Sequence, residues 1–221
     1  LDTLFVSASE GYAVGAYSLL LKTVDGGANW TELSIGGSVP AQKAADLVAT
    51  DSGVFDDSDL ALAAESDPHL NAIVRTASGK LLVMGERGAG FRSDDSGATW
   101  RSMRLPYGGS VFGLLALGGD QVLSFGLRGN VYQSEDAGNS WRKIDSGTET
   151  SLIGGTISSD GTILLVGGNG TVALRRPGES AFTAKHIQLG NGQTPAFTAA
   201  VGDAGAFVLT SDLGAINSKV Q

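Results

Sequence analysis

Short apolar runs alternate with clusters of glycine and other turn residues along most of this chain. The stretch between residues 71 and 105 shows the pattern in full. It predicts four short strands, Asn71–Ala77, Lys80–Met84, Gly90–Ser93 and Thr99–Arg104, separated by the turns Ser78-Gly79, Gly85–Gly88 and Asp94–Gly97. A sheet this small cannot bury both of its faces alone, so it must pack against similar sheets.

The same pattern recurs at regular intervals. Three octads each end in one of the three tryptophans of the chain, at Thr23–Trp30, Ser93–Trp100 and Ser134–Trp141. Fifteen residues before each tryptophan, and before Phe182, stands the first glycine of a Gly-x-x-Gly or Gly-x-x-Ser turn; these four glycine turns are residues 15–18, 85–88, 126–129 and 167–170. The fourth unit has a decayed octad in which Arg175, Pro177 and Glu179 replace the usual residues.

The spacing of the units predicts the architecture. Trp100, Trp141 and Phe182 follow one another at steps of 41 residues, which matches the ~40–45 residues of a four-stranded propeller blade. We therefore predict an all-β protein, a β-propeller of four-stranded antiparallel blades with four blades and a partial fifth in this chain. The predicted units of this single domain lie at about 1–33, 71–105, 111–145, 152–188 and 196–221, with an insertion at 34–70.

The insertion is acidic. It holds seven Asp and Glu residues against one lysine, and Ala41–Thr50 and Ser58–Ser66 are candidate short helices. It is long for a connection and is either a lid or docking element, or a solvated acidic loop.

Each octad carries the chemistry of a tight turn. An aspartate there accepts hydrogen bonds from nearby amides, a glycine supplies a positive φ, and a tryptophan that opens the next strand packs on the neighbouring sheet. We interpret all nine residues of these types as fold-stabilising: Asp25, Gly27, Trp30, Asp95, Gly97, Trp100, Asp136, Gly138 and Trp141. A calcium-binding or catalytic role is the alternative, but an active site needs one special residue and not one per blade.

The three octads resemble the Asp-box, the bacterial neuraminidase repeat. The order of apolar strand, glycine turn, short strand and octad is most similar to the photosystem II stability/assembly factor family. That resemblance implies a non-catalytic scaffold that binds a membrane-protein precursor, and no cofactor. Related bacterial proteins accompany resistance-nodulation-division type exporters, which implies a periplasmic accessory role. The family commonly forms rings of seven blades, so the remaining blades belong to a longer protein, or this ring is smaller or open.

Strand alternation separates the turns into two groups. In an antiparallel blade the first and third turns lie at one end, and the second turn and the blade-to-blade connection lie at the other. The octads are thus expected on one face and the glycine turns, with the insertion, on the opposite face. Arg87 and Arg128 hold the same place in successive glycine turns and are the predicted partner-binding residues, because a guanidinium suits carboxylates and aromatic rings. The alternative is local pairing with an acid such as Glu86.

Charge and composition exclude several functions. With 15 Lys and Arg against 23 Asp and Glu, the net charge of −8 disfavours nucleic acid and anionic membrane surfaces as partners. The apolar runs fall far short of the ~20 residues that span a bilayer, and the absence of cysteine excludes disulfides and thiolate metal sites. We predict no metal. The chain begins at Leu1 rather than Met, so we expect an exported protein that has lost its leader, or a fragment.

An enzyme is the competing hypothesis. A sialidase needs three converging arginines, a nucleophile couple and an acid/base carboxylate, and most arginines here stand on strands with no isolated acidic or tyrosine partner. Another glycoside hydrolase needs only two carboxylates, which the insertion contains. His69 and His186 stand in no recognisable catalytic or metal spacing. The sequence thus favours a non-catalytic protein-binding scaffold, whose partner is a membrane protein or its complex, over a glycoside hydrolase.

Overall fold

A computed structural model describes residues 2–35, 68–203 and 206–219 of the chain. Nearly all of the insertion, including both candidate helices, lies outside the described residues.

The described chain forms five antiparallel sheets, each built from consecutive strands. The first comprises β1 (Asp2–Phe5), β2 (Gly11–Val14), β3 (Leu20–Thr23) and β4 (Thr31–Glu32). The second comprises β5 (Leu70–Arg75), β6 (Leu81–Gly85), β7 (Gly90–Ser93) and β8 (Arg101–Ser102). The third comprises β9 (Val111–Gly118), β10 (Gln121–Gly126), β11 (Val131–Ser134) and β12 (Arg142–Ile144). The fourth comprises β13 (Leu152–Ile157), β14 (Ile163–Gly167), β15 (Thr171–Arg175) and β16 (Thr183–His186), and the fifth β17 (Phe197–Asp203), β18 (Ala206–Ser211) and β19 (Gly214–Lys219).

The sheets are arranged as propeller blades. The first strands of neighbouring sheets contact one another, β1 with β5, β5 with β9, β9 with β13 and β13 with β17, so the first strand of each blade is the innermost. The predicted β-propeller with four blades and a partial fifth is thus confirmed.

Each pair of adjacent blades shares one apolar core. Tyr12 and Phe91 lie in the core between blades 1 and 2, and Met84 in that between blades 2 and 3. Phe125 lies between blades 3 and 4, and Phe197 between blades 4 and 5. The four cores bury the faces of the blades, as expected for sheets too small to bury both faces by themselves.

The outermost strands are shorter than the pattern predicts. We expected Thr99–Arg104 as a strand, and only Arg101–Ser102 pair with β7. The preceding residues are held by the octad instead, because the amide and hydroxyl of Thr99 both donate to Asp95.

The octads repeat one hydrogen-bond pattern. The first hydroxyl, on Thr23, Ser93 or Ser134, donates to the aspartate Oδ1 at 2.8 Å. The oxygen of that hydroxyl in turn accepts a hydrogen bond from the backbone amide of the octad glycine, at 2.9 Å for Gly27, 2.7 Å for Gly97 and 2.7 Å for Gly138. Those glycines have φ of 92°, 77° and 84°, so a side chain there would be strained. Each aspartate also accepts the amide four residues on, at 2.9, 2.9 and 2.8 Å.

The aromatic residue that closes an octad packs toward the preceding blade. Trp100 lies against the core of blades 1 and 2, Trp141 against that of blades 2 and 3, and Phe182 is buried between blades 3 and 4. Trp30 belongs to the first blade and contacts Phe5 edge to face, with ring centroids 6.1 Å apart. The indole nitrogen of Trp30 donates to the Gly27 carbonyl at 3.1 Å.

The residue before an octad ties its blade to the next one. Lys22 Nζ donates to the Ser96 carbonyl at 3.3 Å, and buried Arg92 donates to the Ala137 carbonyl at 2.7 Å. Gln133, the residue before the third octad, accepts a hydrogen bond from buried Arg175 of the fourth blade at 2.9 Å, and Arg175 also lies over the Phe182 ring. Side chains of different types thus hold successive blades together at this end.

Glycine is required at the first position of the glycine turns because the chain passes there without room for a side chain. A Cβ on Gly85 would lie 2.0 Å from the His69 carbonyl oxygen, one on Gly126 2.2 Å from that of Ser110, and one on Gly167 2.0 Å from that of Ser151. Each of these carbonyls belongs to the connection that enters the same blade.

Replacing Gly126 by alanine is expected to destabilise the fold by about 2–3 kcal/mol, because the clash is with backbone that cannot move independently. Gly190→Ala is the matched control, since no atom lies within 4 Å of its Cβ position. Urea denaturation of both variants measures the effect. Equal midpoints for the two variants would contradict the packing argument.

The octad aspartates are expected to make stability depend on acid. Hydrogen bonds from the Thr99 hydroxyl and amide and from the Ser93 hydroxyl lower the pKa of Asp95 from 3.8 to about 2, and the Asn29 amide and side chain lower that of Asp25 to about 2. Because the folded-state pKa is the lower one, the stabilisation is complete above about pH 4 and is lost as the pH falls toward 2.

The thermal midpoint of the wild type should therefore fall between pH 4 and 2. The midpoint difference between wild type and Asp95→Asn should be largest above pH 4 and shrink below pH 3, because protonation removes the carboxylate that the variant lacks. Calorimetry at pH values from 7 to 2.5 measures both. A difference that stays constant over this range would show that the Asp95 charge contributes nothing.

Candidate functional site

The octads and the glycine turns lie at opposite ends of the blades. At one end, the Ala137 amide of an octad donates to the Asp120 carbonyl in the first turn of the same blade, at 2.8 Å. At the other end, the Gly88 amide of a glycine turn donates to Gly109 in the connection to the next blade, at 3.0 Å. We call these ends the octad face and the glycine-turn face. The nine octad residues proposed as fold-stabilising lie on the octad face.

Arg87 and Arg128 are displayed by the same strained backbone. Both are exposed, and their φ values are 52° and 54°, in the left-handed region that disfavours side chains. Tyr17 and Asn169 occupy the equivalent place in blades 1 and 4, with φ of 56° and 52°. Four successive blades thus project a non-glycine side chain from this position, and two of the four are arginine.

The turn that carries Arg87 is fixed by its neighbours. The Glu86 amide donates to the His69 carbonyl at 2.9 Å, and the Ala89 amide closes the turn on the Glu86 carbonyl at 2.9 Å. The Glu86 carboxylate accepts the His69 amide at 3.3 Å and lies 3.7 Å from its Nδ1. The acid beside Arg87 is therefore engaged by the connection from the insertion.

The turn that carries Arg128 is held from three sides. The Arg128 amide donates to the Ser151 hydroxyl at 3.2 Å. The Leu127 carbonyl accepts the Tyr107 hydroxyl at 3.1 Å and the Asn130 amide group at 3.0 Å. Tyr107 stacks on Tyr132 with ring centroids 6.0 Å apart, and burial raises its pKa. These supporting residues could not be predicted from the repeat, since most of them lie in connections whose sequence the repeat does not specify.

A groove of about 570 Å³ lies beside Arg128. Its charged and hydroxyl-bearing lining residues are Arg128, Lys143, Asp145, Ser146, Thr148 and Glu149. The two cations and two carboxylates make the groove polar with balanced charge, which is suited to peptide groups and charged side chains.

The arginines near the octads have acidic partners, contrary to expectation. Arg92 Nη2 lies 2.5 Å from Asp94, which Arg101 also approaches at 3.3 Å. Arg142 lies 3.8 Å from Glu135. The pattern missed these pairs because the partners are on the neighbouring turn or strand.

The described ranges contain neither a cluster of metal-binding side chains nor a membrane-spanning helix. Over residues 2–35, 68–203 and 206–219, no group of three or more His, Cys, Asp or Glu side chains is placed to hold a metal ion. No helix within the same ranges has the length and hydropathy to cross a membrane.

Comparisons with known proteins support the family resemblance that the repeat shows. The family model described as photosynthesis system II assembly factor YCF48 matches residues 1–189. Among solved structures, YCF48 from Cyanidioschyzon merolae has a TM-score of 0.70 at 18% identity, covering 100% of this chain and 67% of that one. YCF48 bound to D1 peptide has a TM-score of 0.64 at 18% identity, covering 97% of this chain and 63% of that one.

The fold is shared more widely than the family. An ancestral GH74 enzyme has a TM-score of 0.62 at 11% identity, with 94% of this chain and 28% of that one covered. No curated protein matches the sequence. The chain spans about two thirds of the length of the two YCF48 structures. Because the family model covers most of the residues, the chain belongs to the photosynthesis system II assembly factor YCF48 family.

Proposed function

We propose that this chain is a non-catalytic scaffold that binds a segment of a membrane protein, or of its complex, through the glycine-turn face during assembly. The observation that carries the proposal is the repeated display of Arg87 and Arg128 from equivalent left-handed positions. Family membership supports an assembly role, and a solved relative is bound to a D1 peptide.

The backbone argues for a role of these side chains outside the fold. A non-glycine residue in the left-handed region costs roughly 1 kcal/mol or more relative to glycine. Glycine follows directly at Gly88 and Gly129, with φ of 69° and 66°, so the turn accepts glycine at neighbouring positions. An arginine kept at the strained and exposed place gives a cation held in a defined direction, which favours recognition of carboxylates or aromatic rings.

An enzymatic role has less support. The likeness to the ancestral GH74 enzyme, at 11% identity, concerns the fold alone. A cavity of about 790 Å³ on the first blade is lined by two carboxylates, Asp2 and Glu32. Asp2 accepts the Ile73 amide at 3.0 Å and the Thr3 amide at 2.8 Å, which occupies it as a structural group.

Three further parts of the proposal concern the domain organisation, the location and the partner. We propose that the five units and the insertion form one domain, because successive blades share cores. We infer a periplasmic or otherwise exported location from the family resemblance alone. An exporter of the resistance-nodulation-division type as partner rests on the family resemblance alone, and the proposed partner is a membrane-protein segment.

The double variant Arg87→Asn/Arg128→Asn is expected to weaken binding of a D1 peptide roughly tenfold or more, since each charge-assisted hydrogen bond contributes about 1.5–3 kcal/mol. Asparagine is chosen because Asn169 already occupies the equivalent position, so the backbone is not strained further. Fluorescence anisotropy with a labelled peptide measures the affinity, and the thermal midpoint should stay unchanged.

The matched control is Arg101→Asn/Arg142→Asn, which removes the same charge from exposed arginines of the octad face. It should bind the peptide like the wild type. Equal losses in the two double variants would show a general charge effect and contradict the assignment to the glycine-turn face. Wild-type protein that binds no peptide at all would contradict the proposed function.

A further inference from the structure

The innermost strands of four blades carry a β-bulge at the same place. In β5, β9, β13 and β17 one residue is passed over by the ladder to the second strand; these bulge residues are Asn71, Phe112, Ile153 and Thr198. The first three follow one another at the 41-residue period of the repeat. The bulges do not show in the sequence pattern, because one extra residue in each of these units leaves the spacing between units unchanged.

Each bulge lies at the glycine-turn face. The residues before the first three bulges, Leu70, Val111 and Leu152, pair with Gly85, Gly126 and Gly167, which begin the glycine turns. In a regular strand of a blade, successive side chains point alternately into the two adjacent cores. A bulge residue stands outside this alternation, so its side chain points in another direction. The bulges thus place four side chains around the inner rim of the face that carries Arg87 and Arg128.

The four bulge residues differ in chemistry. Asn71 is committed to the fold, because its side-chain amide donates to the Val111 carbonyl of the next blade at 2.9 Å. Thr198 contacts Thr210, with the two hydroxyl oxygens 3.1 Å apart. Phe112 is half-buried and Ile153 is 41% exposed, and neither is a member of the four cores. Blades 3 and 4 therefore present apolar surface to solvent where their neighbours present polar groups.

The strands that carry the apolar pair run beside the turn of Arg128, and the Leu127 amide of that turn donates to the Ser110 carbonyl, two residues before Phe112, at 3.0 Å. The turn 127–129 contacts β13, which carries Ile153. The Arg128 amide is bonded to Ser151, two residues before Ile153. Since β9 and β13 are adjacent inner strands, Phe112 and Ile153 hold equivalent positions on neighbouring blades.

We propose that Phe112 and Ile153 form an apolar anchor site that takes an aliphatic or aromatic side chain of the partner segment, while Arg128 binds a carboxylate close to it in the same segment. The occupant is an extended peptide with an apolar residue beside an acidic group. Arg128 complements the charge of the carboxylate, and the two bulge residues bury the apolar side chain of the segment. Protein interfaces commonly combine an apolar anchor with a polar rim in this way. This inference rests on the proposed scaffold function and adds the chemistry of the segment that is bound.

The test compares two isoleucines of the same strand. Ile153→Ser should weaken binding of a labelled D1 peptide about tenfold to a hundredfold, since a buried isoleucine side chain gives that range. Ile157 lies at the other end of β13 and is 37% exposed, so Ile157→Ser is the matched control and should bind like the wild type. Thermal midpoints of both variants establish that the fold is intact.

The peptide supplies the second arm of the experiment. A D1 peptide with its apolar residues changed to serine should bind weakly to the wild type and lose little further affinity in Ile153→Ser. Unchanged binding by Ile153→Ser, with binding lost in Arg87→Asn/Arg128→Asn, would overturn the anchor site and leave the scaffold function standing. Equal losses for Ile153→Ser and Ile157→Ser would also overturn it. No binding of either peptide by the wild type would instead contradict the scaffold function itself.

Discussion

The close approach of a carbonyl group to the first glycine of the second, third and fourth glycine turns is the contact on which this face of the molecule depends. Gly85, Gly126 and Gly167 leave room for the connection that enters their own blade, and a methyl group at any of them would lie within 2.2 Å of its carbonyl oxygen. The connection then pairs beside the glycine and the inner strand bulges one residue later. Because the turn is held this firmly, it can carry Arg87 and Arg128 in a left-handed conformation that a mobile loop would relax.

The two faces of the propeller differ in what their charged side chains do. On the octad face, the aspartates accept amides and hydroxyls within their own turns, and Lys22, Arg92 and Arg175 donate across to neighbouring blades. Most charged groups described there are engaged in the fold. On the glycine-turn face, hydroxyls, backbone amides and carbonyls and the Glu86 carboxylate hold the turns, and these turns present Arg87 and Arg128 with exposed side chains. A firm scaffold with charged side chains on a few turns suits the display of binding residues.

Much of the fold could be predicted because it repeats. The 41-residue step identified the blades, and the octads and glycine turns were placed at opposite ends by strand alternation alone. The features that the sequence did not predict are those that depend on contacts with a neighbouring blade or turn. Thr99 leaves the predicted strand because Asp95 binds its amide, Arg92 and Arg175 are buried by contacts across blades, and the bulges keep the period unchanged. For the site, the pattern located Arg87 and Arg128, but not the support from Tyr107 and Ser151, because sequence spacing does not show which connection crosses a turn.

Hydrogen exchange measured with and without a saturating D1 peptide tests the central claim most directly, because it locates the contact without altering any residue. The account predicts slower exchange at the amides of residues 85–88, 126–129 and 152–154, and no change in the octads at 93–100 and 134–141. Protection confined to the octads, or spread equally over both faces, would contradict the account.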